Sequence, residues 1–505
     1  MSGRELILAV DIGTGATKAV LFDTDGRAVS MARVHYPVRT PHKGWSEQQP
    51  AVVFDGVLAA IREATWSLLD DDRVLGVAFS SQLYSVLAVD GEGEPLTNSI
   101  IWSDTRSEGA AQALKQLPGA SGIHQRTGCP VDAVYPLAKI RWLKDNLDLP
   151  RDVRFVSIKE YVISRLVGEF VADWSVASAT GLFDIRKCDW DETCLDMLDI
   201  TRDNLSQLVP PRHVLAGVDR EIMVGVGLRD GTPLVIGGGD GPLASVGVGA
   251  YRSSVLAVNV GTSAAARLMI PEPTVDREGR LWTYVVDENL WVTGGMVSSG
   301  GMVYDWFLES WLSDEAEVGD QETRQQAFDR ADQLASFVSP GAEGLVFIPY
   351  LAGEQCPGWH PLTRGSFFGL DFGHKRGHLL RAVLEGITRS IYMVSETIKS
   401  EFELQFDEIR VTGGLATSPV WLQIAADMLE CPIVVPQTTE GSARGAALLA
   451  AVSLGLRSSI EDVADQMAPR TRVEPHDDTS RLYQEQYATF RQILNCTRDL
   501  GEGRL

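Results

Sequence analysis

The chain has 505 residues, 44% hydrophobic and 22% charged, with a formal net charge of −23. Such a length predicts two or three domains rather than one core, and the acidic field argues against nucleic acid or an anionic membrane as partner. Six cysteines without Cys-x-x-Cys spacing and eight histidines without metal-ligand spacing speak against a zinc site; reduced thiols and the lack of a membrane-length apolar run fit a cytoplasmic protein.

The first element is a hairpin. LILAVDIGTGATKAVLFD, residues 6–23, puts two apolar runs around Asp-Ile-Gly-Thr-Gly-Ala-Thr-Lys, more chemistry than a simple turn requires. It is echoed far downstream: LAVDIGTGATKAVLF at 8–22 aligns with LAVNVGTSAAARLMI at 256–270. Each copy reads as strand, Gly-Thr turn, strand, and the repeat predicts two similar domains that open with the same device. Glycine lets backbone amides approach a ligand, and the Thr or Ser hydroxyl adds a donor, so each turn can cradle phosphate. No Walker loop is present, and a strand rather than a helix follows the turn. Either copy alone reads first as an ordinary hairpin turn; the pair favours phosphate. Asp11 becomes Asn259 in the second copy, so only the first offers a carboxylate to a Mg²⁺ ion.

Farther along, LVIGGGDGPLASVGVG (234–249) reads as strand, glycine turn and helix start, with Asp240 at the strand's mouth. An acid there suits a general base facing a bound hydroxyl, and a helix cap accounts for it equally well on local sequence. VTGGMVSSGGMV (292–303) adds two Gly-Gly pairs before a helix expected near Met302. Charged residues around 313–333 read as a surface helix. In 378–396, Leu380, Val383, Leu384, Ile387 and Ile391 form one helical stripe, a core face. IRVTGGLATSPVWLQ (409–423) repeats the strand–glycine–helix design, with Gly413 and Gly414 open to a nucleotide and Pro419 in a first helical turn. EGSARGAALLAA (440–451) reads as a small-residue helix able to lie close beneath a ligand, and 458–505 as a solvated helical extension. No low-complexity linker separates the halves, so two domains packed about a cleft are expected.

In this order the motifs resemble the FGGY carbohydrate kinases, from about residue 6 to about 455. DIGTGATK (11–18), GWSEQQP (44–50), IIWSDTR (100–106), PLAKIRWLKDN (136–146), ADWSVASATGLFD (172–184), GGGDGPLASVG (237–247), LAGEQCPGW (351–359), GSFFGL (365–370) and GGLATSPVWLQ (413–423) follow in family order. The resemblance implies an α/β fold of two actin-like (ribonuclease-H-like) ATPase domains: 1–250 with the sugar site, first phosphate hairpin and catalytic acid, 251–455 with the nucleotide site, and 456–505 as the extension. It implies transfer of the γ-phosphoryl of ATP, with Mg²⁺, to a hydroxyl of a small sugar or sugar acid. Asp240 then matches the catalytic base and Asp11 the metal-associated acid, both near Mg²⁺. Thr14, Gly15 and Lys18 fall in the first phosphate hairpin, Gly261, Thr262 and Ser263 in the second, Gly300 and Gly301 near the phosphates, and Gly413, Gly414 and Gln423 on the adenosine side.

Within that family the chain is most similar to the gluconokinase branch, through SIKEYVISRLVGEFVADWSVASATGLFDI (157–185) and WSDTRSEG (102–109). The acceptor set is expected to include Gln82, Leu83, Tyr84, Trp102, Asp104 and Arg106, the arginine offering a fork to a carboxylate. The family pattern is broken at three places: Leu83-Tyr84 replaces a Met-His pair, Gln355 stands where arginine is common, and Thr417 where a basic residue is usual. The branch similarity makes gluconate the first expectation, xylulose or a related ketose or polyol the second, and an actin-like ATP-binding protein without kinase activity the alternative from another class. The expected partner is the small-molecule substrate, with no nucleic acid and no membrane; a homodimer is compatible with the reading.

Overall fold

The computed structural model describes residues 3–311, 321–464, 469–501 and 503. They form two compact units that do not divide at a single point. The first comprises 1–251, 269–293 and 440–467; the second comprises 252–268, 294–439 and 468–505. The chain thus returns to the first unit twice, which the expected cut near residue 250 does not anticipate.

The first unit is built on a six-stranded sheet of β1 (Glu5–Ile12), β2 (Ala16–Asp23), β3 (Ala28–His35), β4 (Arg73–Ser81), β5 (Val214–Leu215) and β6 (Leu234–Gly239), in the order β5-β6-β4-β1-β2-β3. β1, β2 and β3 form an antiparallel meander, β4 runs parallel to β1, and β6 runs parallel to β4. Leu6–Val10 of β1 is an unbroken apolar run because both faces of the strand are covered there. Leu6, Leu8, Val10 and Ile12 enter one layer with Val53, Val57, Ala60 and Ile61 of helix α1 (Pro50–Thr65). Ile7 and Ala9 enter the other with Leu243 and Val246 of helix α4 (Asp240–Gly247) and with the helix Gly441–Ser453. Two shorter helices, α2 (Ile158–Val167) and α3 (Trp174–Ser178), complete what supports the site.

The helix Gly441–Ser453 is rich in Gly and Ala because α4 crosses it at backbone range. A Cβ on Gly445 would lie 1.9 Å from the Leu243 carbonyl oxygen, and one on Gly247 would lie 1.9 Å from that of Gly441. Small residues here serve close packing under the sheet.

The second unit repeats the scheme with β7 (Val255–Val260), β8 (Ala264–Ile270), β9 (Glu408–Gly413), β10 (Ile433–Val435) and β11 (Thr471–Val473). Within a seven-stranded sheet these five run β8-β7-β9-β10-β11: a hairpin, two parallel additions and an antiparallel edge. This is the β2-β1-β4-β6-β5 arrangement again, so the sequence repeat is a repeat of topology. Helix α5 (Gly301–Trp311) begins where the glycine pairs predict, and α6 (Arg376–Phe402) buries all five residues of the predicted stripe. Of the charged stretch around 313–333, residues 312–320 lie outside the described residues, and the rest belongs to the helix Gln321–Ser336. The C-terminal segment corrects its sequence reading: helix α8 (Asp477–Gly501) buries Tyr483, Phe490 and Leu494, the last two in a cluster with Val346, Ile348 and Tyr350. Only its outward face is solvated.

Candidate active site

In the first unit, Asp11 and Asp240 come to the same edge of the sheet. Asp11 pairs with Ser80 near the carboxyl end of β4, and Gly238 pairs with that same Ser80 from the other side. Asp240 follows directly as the first residue of α4. The two acids therefore stand about two strand spacings, ~10 Å, apart with β4 between them, outside the carboxyl ends of parallel strands, where α/β sheets bind ligands. Ser80 Oγ donates to Asp11 Oδ1 at 2.8 Å. Burial holds the Asp11 carboxyl above the ordinary aspartate range, against the opposing pull of the Ser80 hydrogen bond and the Lys18 charge. Lys18, opposite Asp11 across the hairpin, makes a 2.6 Å ion pair with Glu440. Asp240 Oδ1 accepts from the Gly241 amide at 2.6 Å, which orients the carboxylate.

The turn between β1 and β2 has all three of its carbonyls tied inward. Gly13 O accepts from Tyr36 Oη at 2.7 Å, Thr14 O from Gln48 Nε2 at 2.6 Å, and Gly15 O from the Tyr36 amide at 3.1 Å. The amides of Thr14 and Gly15 have no acceptor among the described residues, and a Cβ on Gly15 would meet nothing within 4 Å. Orphan amides on an open turn suit an anion.

Around this turn, Thr14 Oγ1 donates to Gln82 Oε1 at 3.1 Å and accepts from Trp102 Nε1 at 3.0 Å; Gln82 Nε2 donates to Gln48 Oε1 at 2.7 Å. Leu83 is buried against Gly239. Tyr84 adopts a left-handed φ of 66°, and its phenol meets that of Tyr284 at 3.1 Å, which meets that of Tyr135 at 2.9 Å. Lys139 Nζ donates to the carbonyls of Tyr84 at 2.7 Å and Ile101 at 2.9 Å, joining the two acceptor segments from below.

Asp104 and Arg106 differ from their sequence reading. The guanidinium spans Asp104 at 2.6 Å and Glu47 at 2.7 Å and lies over the Trp45 ring at 3.7 Å, with 4% of the side chain exposed. Asp104 is equally engaged, accepting from the Ser46 amide at 2.6 Å. The pair braces the loop that carries Trp102; its fork is spent on protein carboxylates.

The second unit brings three glycine segments together. Gly261 O accepts from the Gly301 amide at 2.7 Å, and Thr262 O from the Met302 amide at 3.1 Å. A Cβ on Gly300 would fall 2.4 Å from the Ser263 carbonyl carbon, and one on Gly413, whose φ is 79°, would fall 2.2 Å from the Val260 carbonyl oxygen. Gly414 is exposed beside them. The amides of Thr262 and Ser263 find no acceptor among the described residues, so this turn also has its carbonyls tied and its amides open. Gln423 behaves differently from expectation: its Nε2 donates to Asp427 at 2.8 Å and to the Glu474 carbonyl at 3.0 Å, binding helix α7 (Pro419–Leu429) to the segment before α8. Thr417 Oγ1 donates to the Gly414 carbonyl at 2.8 Å, so it supports the turn where a basic side chain is usual.

Residues 6–247 match the N-terminal domain, and residues 256–454 the C-terminal domain, of the FGGY family of carbohydrate kinases. The chain belongs to that family. Among its relatives, the gluconokinase of Bacillus subtilis (strain 168) is 37% identical over 97% of this chain and 95% of its own length. The xylulose kinase of Lactococcus lactis subsp. lactis (strain IL1403) is 26% identical over 98% and 97%. The crystal structure of gluconate kinase from Lactobacillus acidophilus superposes with a TM-score of 0.91 at 29% identity, covering 98% of this chain and 99% of that one. The ligand-bound xylulose kinase from the same organism gives 0.90 at 30% identity, covering 97% and 98%. FGGY membership makes the chain a carbohydrate kinase, a phosphotransferase with an alcohol acceptor, and the family uses ATP. No described helix is long and apolar enough to cross a membrane.

Sequence reasoning did not single out several residues that contact the candidate site. Tyr36, Gln48, Ser80, Lys139, Tyr284 and Glu440 all act by contacts with residues distant in the chain. Gln48, Lys139 and Glu440 sat within motifs already noted, GWSEQQP, PLAKIRWLKDN and EGSARGAALLAA, which was the available signal.

Proposed function

We propose that this FGGY kinase is a gluconokinase that transfers the γ-phosphoryl of ATP to a hydroxyl of D-gluconate. The observation that carries the phosphate chemistry is the duplicated Gly-Thr turn, each copy with its carbonyls bonded inward and its amides open. Support for gluconate comes from the 37% identity to a gluconokinase over nearly the whole chain.

Asp240 is the base: oriented by the Gly241 amide, it accepts the proton of the acceptor hydroxyl as the new P–O bond forms. In each unit the open amides of the Gly-Thr turn, Thr14 and Gly15 in the first and Thr262 and Ser263 in the second, suit phosphate oxygens, and positioning and charge stabilisation contribute most of the rate of phosphoryl transfer. Gly300, Gly301, Gly413 and Gly414 keep backbone within reach of the nucleotide. The residues also fit Mg²⁺. Asp11 and Asp240 present hard oxygen donors, and a desolvated Asp11 carboxyl gains from a nearby cation. No cluster of three His, Cys, Asp or Glu forms a metal cage among the described residues, as suits an ion held by one or two carboxylates and substrate phosphates. Mg²⁺ held there supplies neutralisation of the charge on the transferring phosphoryl group. Lys18, paired with Glu440, sets the potential at Asp11 rather than reaching freely for phosphate. Gln82 and Trp102 fix Thr14 and line the acceptor side with Leu83 and Tyr84.

A second reading is favoured by one observation. Arg106 is consumed by Asp104 and Glu47, which removes the expected fork for a carboxylate and leaves room for a neutral ketose or polyol, xylulose first. The test is ATP- and Mg²⁺-dependent phosphorylation of gluconate, xylulose, ribulose, glycerol and erythritol, with Asp240→Ala as control. Preference for gluconate supports the proposal; turnover of a neutral acceptor with gluconate inert replaces it by the second reading. Loss of the base costs about 10²–10⁴-fold in turnover, and a near-normal Asp240→Ala enzyme would remove Asp240 from the mechanism.

A further inference from the structure

The strand that delivers Asp240 is irregular. β6 pairs with β4 as Leu234↔Val77 and Val235↔Ala78, then resumes as Gly238↔Ser80 and Gly239↔Ser81. Ile236 and Gly237 thus oppose the single residue Phe79, a β-bulge, a feature rare between parallel strands and frequent beside active sites. Gly237 takes a φ of 70°, and a Cβ there would lie 1.8 Å from the Phe79 carbonyl oxygen. Side chains alternate along a strand, so one inserted residue exchanges the faces of everything after it. Leu234 and Ile236 belong to the α1 layer, whereas Val235 shares its layer with Ile7 and Ala9. Without the bulge, even-numbered positions through Asp240 would continue toward α1. With it, the strand exits toward the face that Ile7, Ala9 and, by alternation, Asp11 occupy.

A bulge whose second residue is a left-handed glycine, followed by two more glycines, is floppy unless held, and two buried side chains hold it. Lys159, in the first turn of α2, donates to Asp173 at 2.8 Å and to the Gly238 carbonyl at 3.3 Å. Ser175, in the first turn of α3, accepts from the Gly239 amide at 3.1 Å. Asp173 in turn caps α3 by accepting from the Val176 amide at 2.9 Å. Lys159, Asp173 and Ser175 are each at most 1% exposed, and a buried ion pair of this kind is weak evidence for stability, which leaves its placement to be explained.

We infer that Lys159, Asp173 and Ser175 are positioning residues for phosphoryl transfer: they fix the carbonyl and amide on either side of the Gly238–Gly239 peptide and thereby aim Asp240 at the acceptor. The inference rests on Asp240 as base. It accounts for two stretches that substrate contacts leave unused, SIKE at 157–160 and ADWS at 172–175.

The test uses the full chain and two variants. Ser175→Ala removes the acceptor for the Gly239 amide. Lys159→Met with Asp173→Asn removes the ion pair without stranding a charge and keeps a capping oxygen for α3. Both are measured for circular dichroism, KM for ATP, KM for the acceptor and kcat, beside wild type and Asp240→Ala. The expected result is a kcat loss of about 10–100-fold, the scale of a misplacement near 1 Å, at unchanged KM for ATP. A merely structural role would lower the amount of folded enzyme without moving kcat per folded molecule. If either folded variant keeps wild-type kcat while Asp240→Ala is dead, the inference fails and the base stands. If Asp240→Ala itself turns over normally, the base assignment fails and the inference with it.

Discussion

Lys139 offers the most quantitative test of the acceptor side. Its ammonium is fully buried, and burial pushes its pKa down from the usual 10.5 to about 7, although the charge of Asp104 pulls the other way. Between those values the unfolded chain holds a proton that the folded chain has released. Stability therefore rises with pH across the window, by about 1.4 kcal/mol per unit, and the contribution is flat below pH 7. From pH 7.5 to 9.5 this amounts to roughly 2–3 kcal/mol. Lys139→Met keeps most of the side chain's length, one atom short, and titrates nowhere, so the pH dependence of the wild-type-minus-variant difference isolates the term. Urea unfolding of both proteins, followed by tryptophan fluorescence at half-unit pH steps, measures it. The difference should grow in favour of wild type by that amount; a flat difference across the window would refute a buried, neutralisable ammonium. The variant should also raise the acceptor KM more than the ATP KM, because the Tyr84 and Ile101 carbonyls lose their shared donor.

Four further outcomes follow from the geometry. Gly15→Ala adds a methyl that meets nothing within 4 Å, so its melting temperature should match wild type, while its ATP KM rises if phosphate approaches that turn; thermal melts and initial rates decide both. Gly300→Ala places its methyl 2.4 Å from the Ser263 carbonyl carbon; the second turn must shift, and ATP affinity by calorimetry should fall at least about tenfold, the factor for 1.4 kcal/mol. Glu440→Gln removes a negative charge that raises the Asp11 pKa, so the acidic limb of the rate profile should move to lower pH, and an unmoved limb would dissociate Asp11 from it. Replacing Leu83-Tyr84 by Met-His retains the left-handed turn, which His tolerates, but breaks the phenol contact to Tyr284; the gluconate-to-xylulose ratio of kcat/KM should change if this lip selects the acceptor.

Much of the frame was legible because it is local. The hairpins, the strand–glycine–helix units and the stripe from Leu380 to Ile391 follow from periodicity and turn chemistry, and the same turn written twice exposed the duplication. What escaped depends on pairs remote in sequence. Nothing in WSDTR reveals that Arg106 folds back onto Asp104 and reaches Glu47 over the Trp45 ring. Nothing around Gln423 reveals Glu474. The solvated reading of the C-terminus failed because Tyr483, Phe490 and Leu494 are spaced along 25 mostly polar residues, so the narrow buried stripe was diluted by composition.

The return of residues 440–467 to the first unit has a consequence for the chain as it is made. Lys18 waits for Glu440, 422 positions later, and α4 waits for the Gly441–Ser453 helix that covers it. At about 5–20 residues per second, the ribosome spends tens of seconds between completing β6 and supplying that cover. During this interval the β1–β2 hairpin lacks its ion pair, and the apolar underside of α4 is exposed to chaperones and neighbouring chains. A transcript cut short anywhere before residue 440 thus leaves both halves unfinished, so the β1–β2 hairpin gains its ion pair only when nearly the whole message has been read.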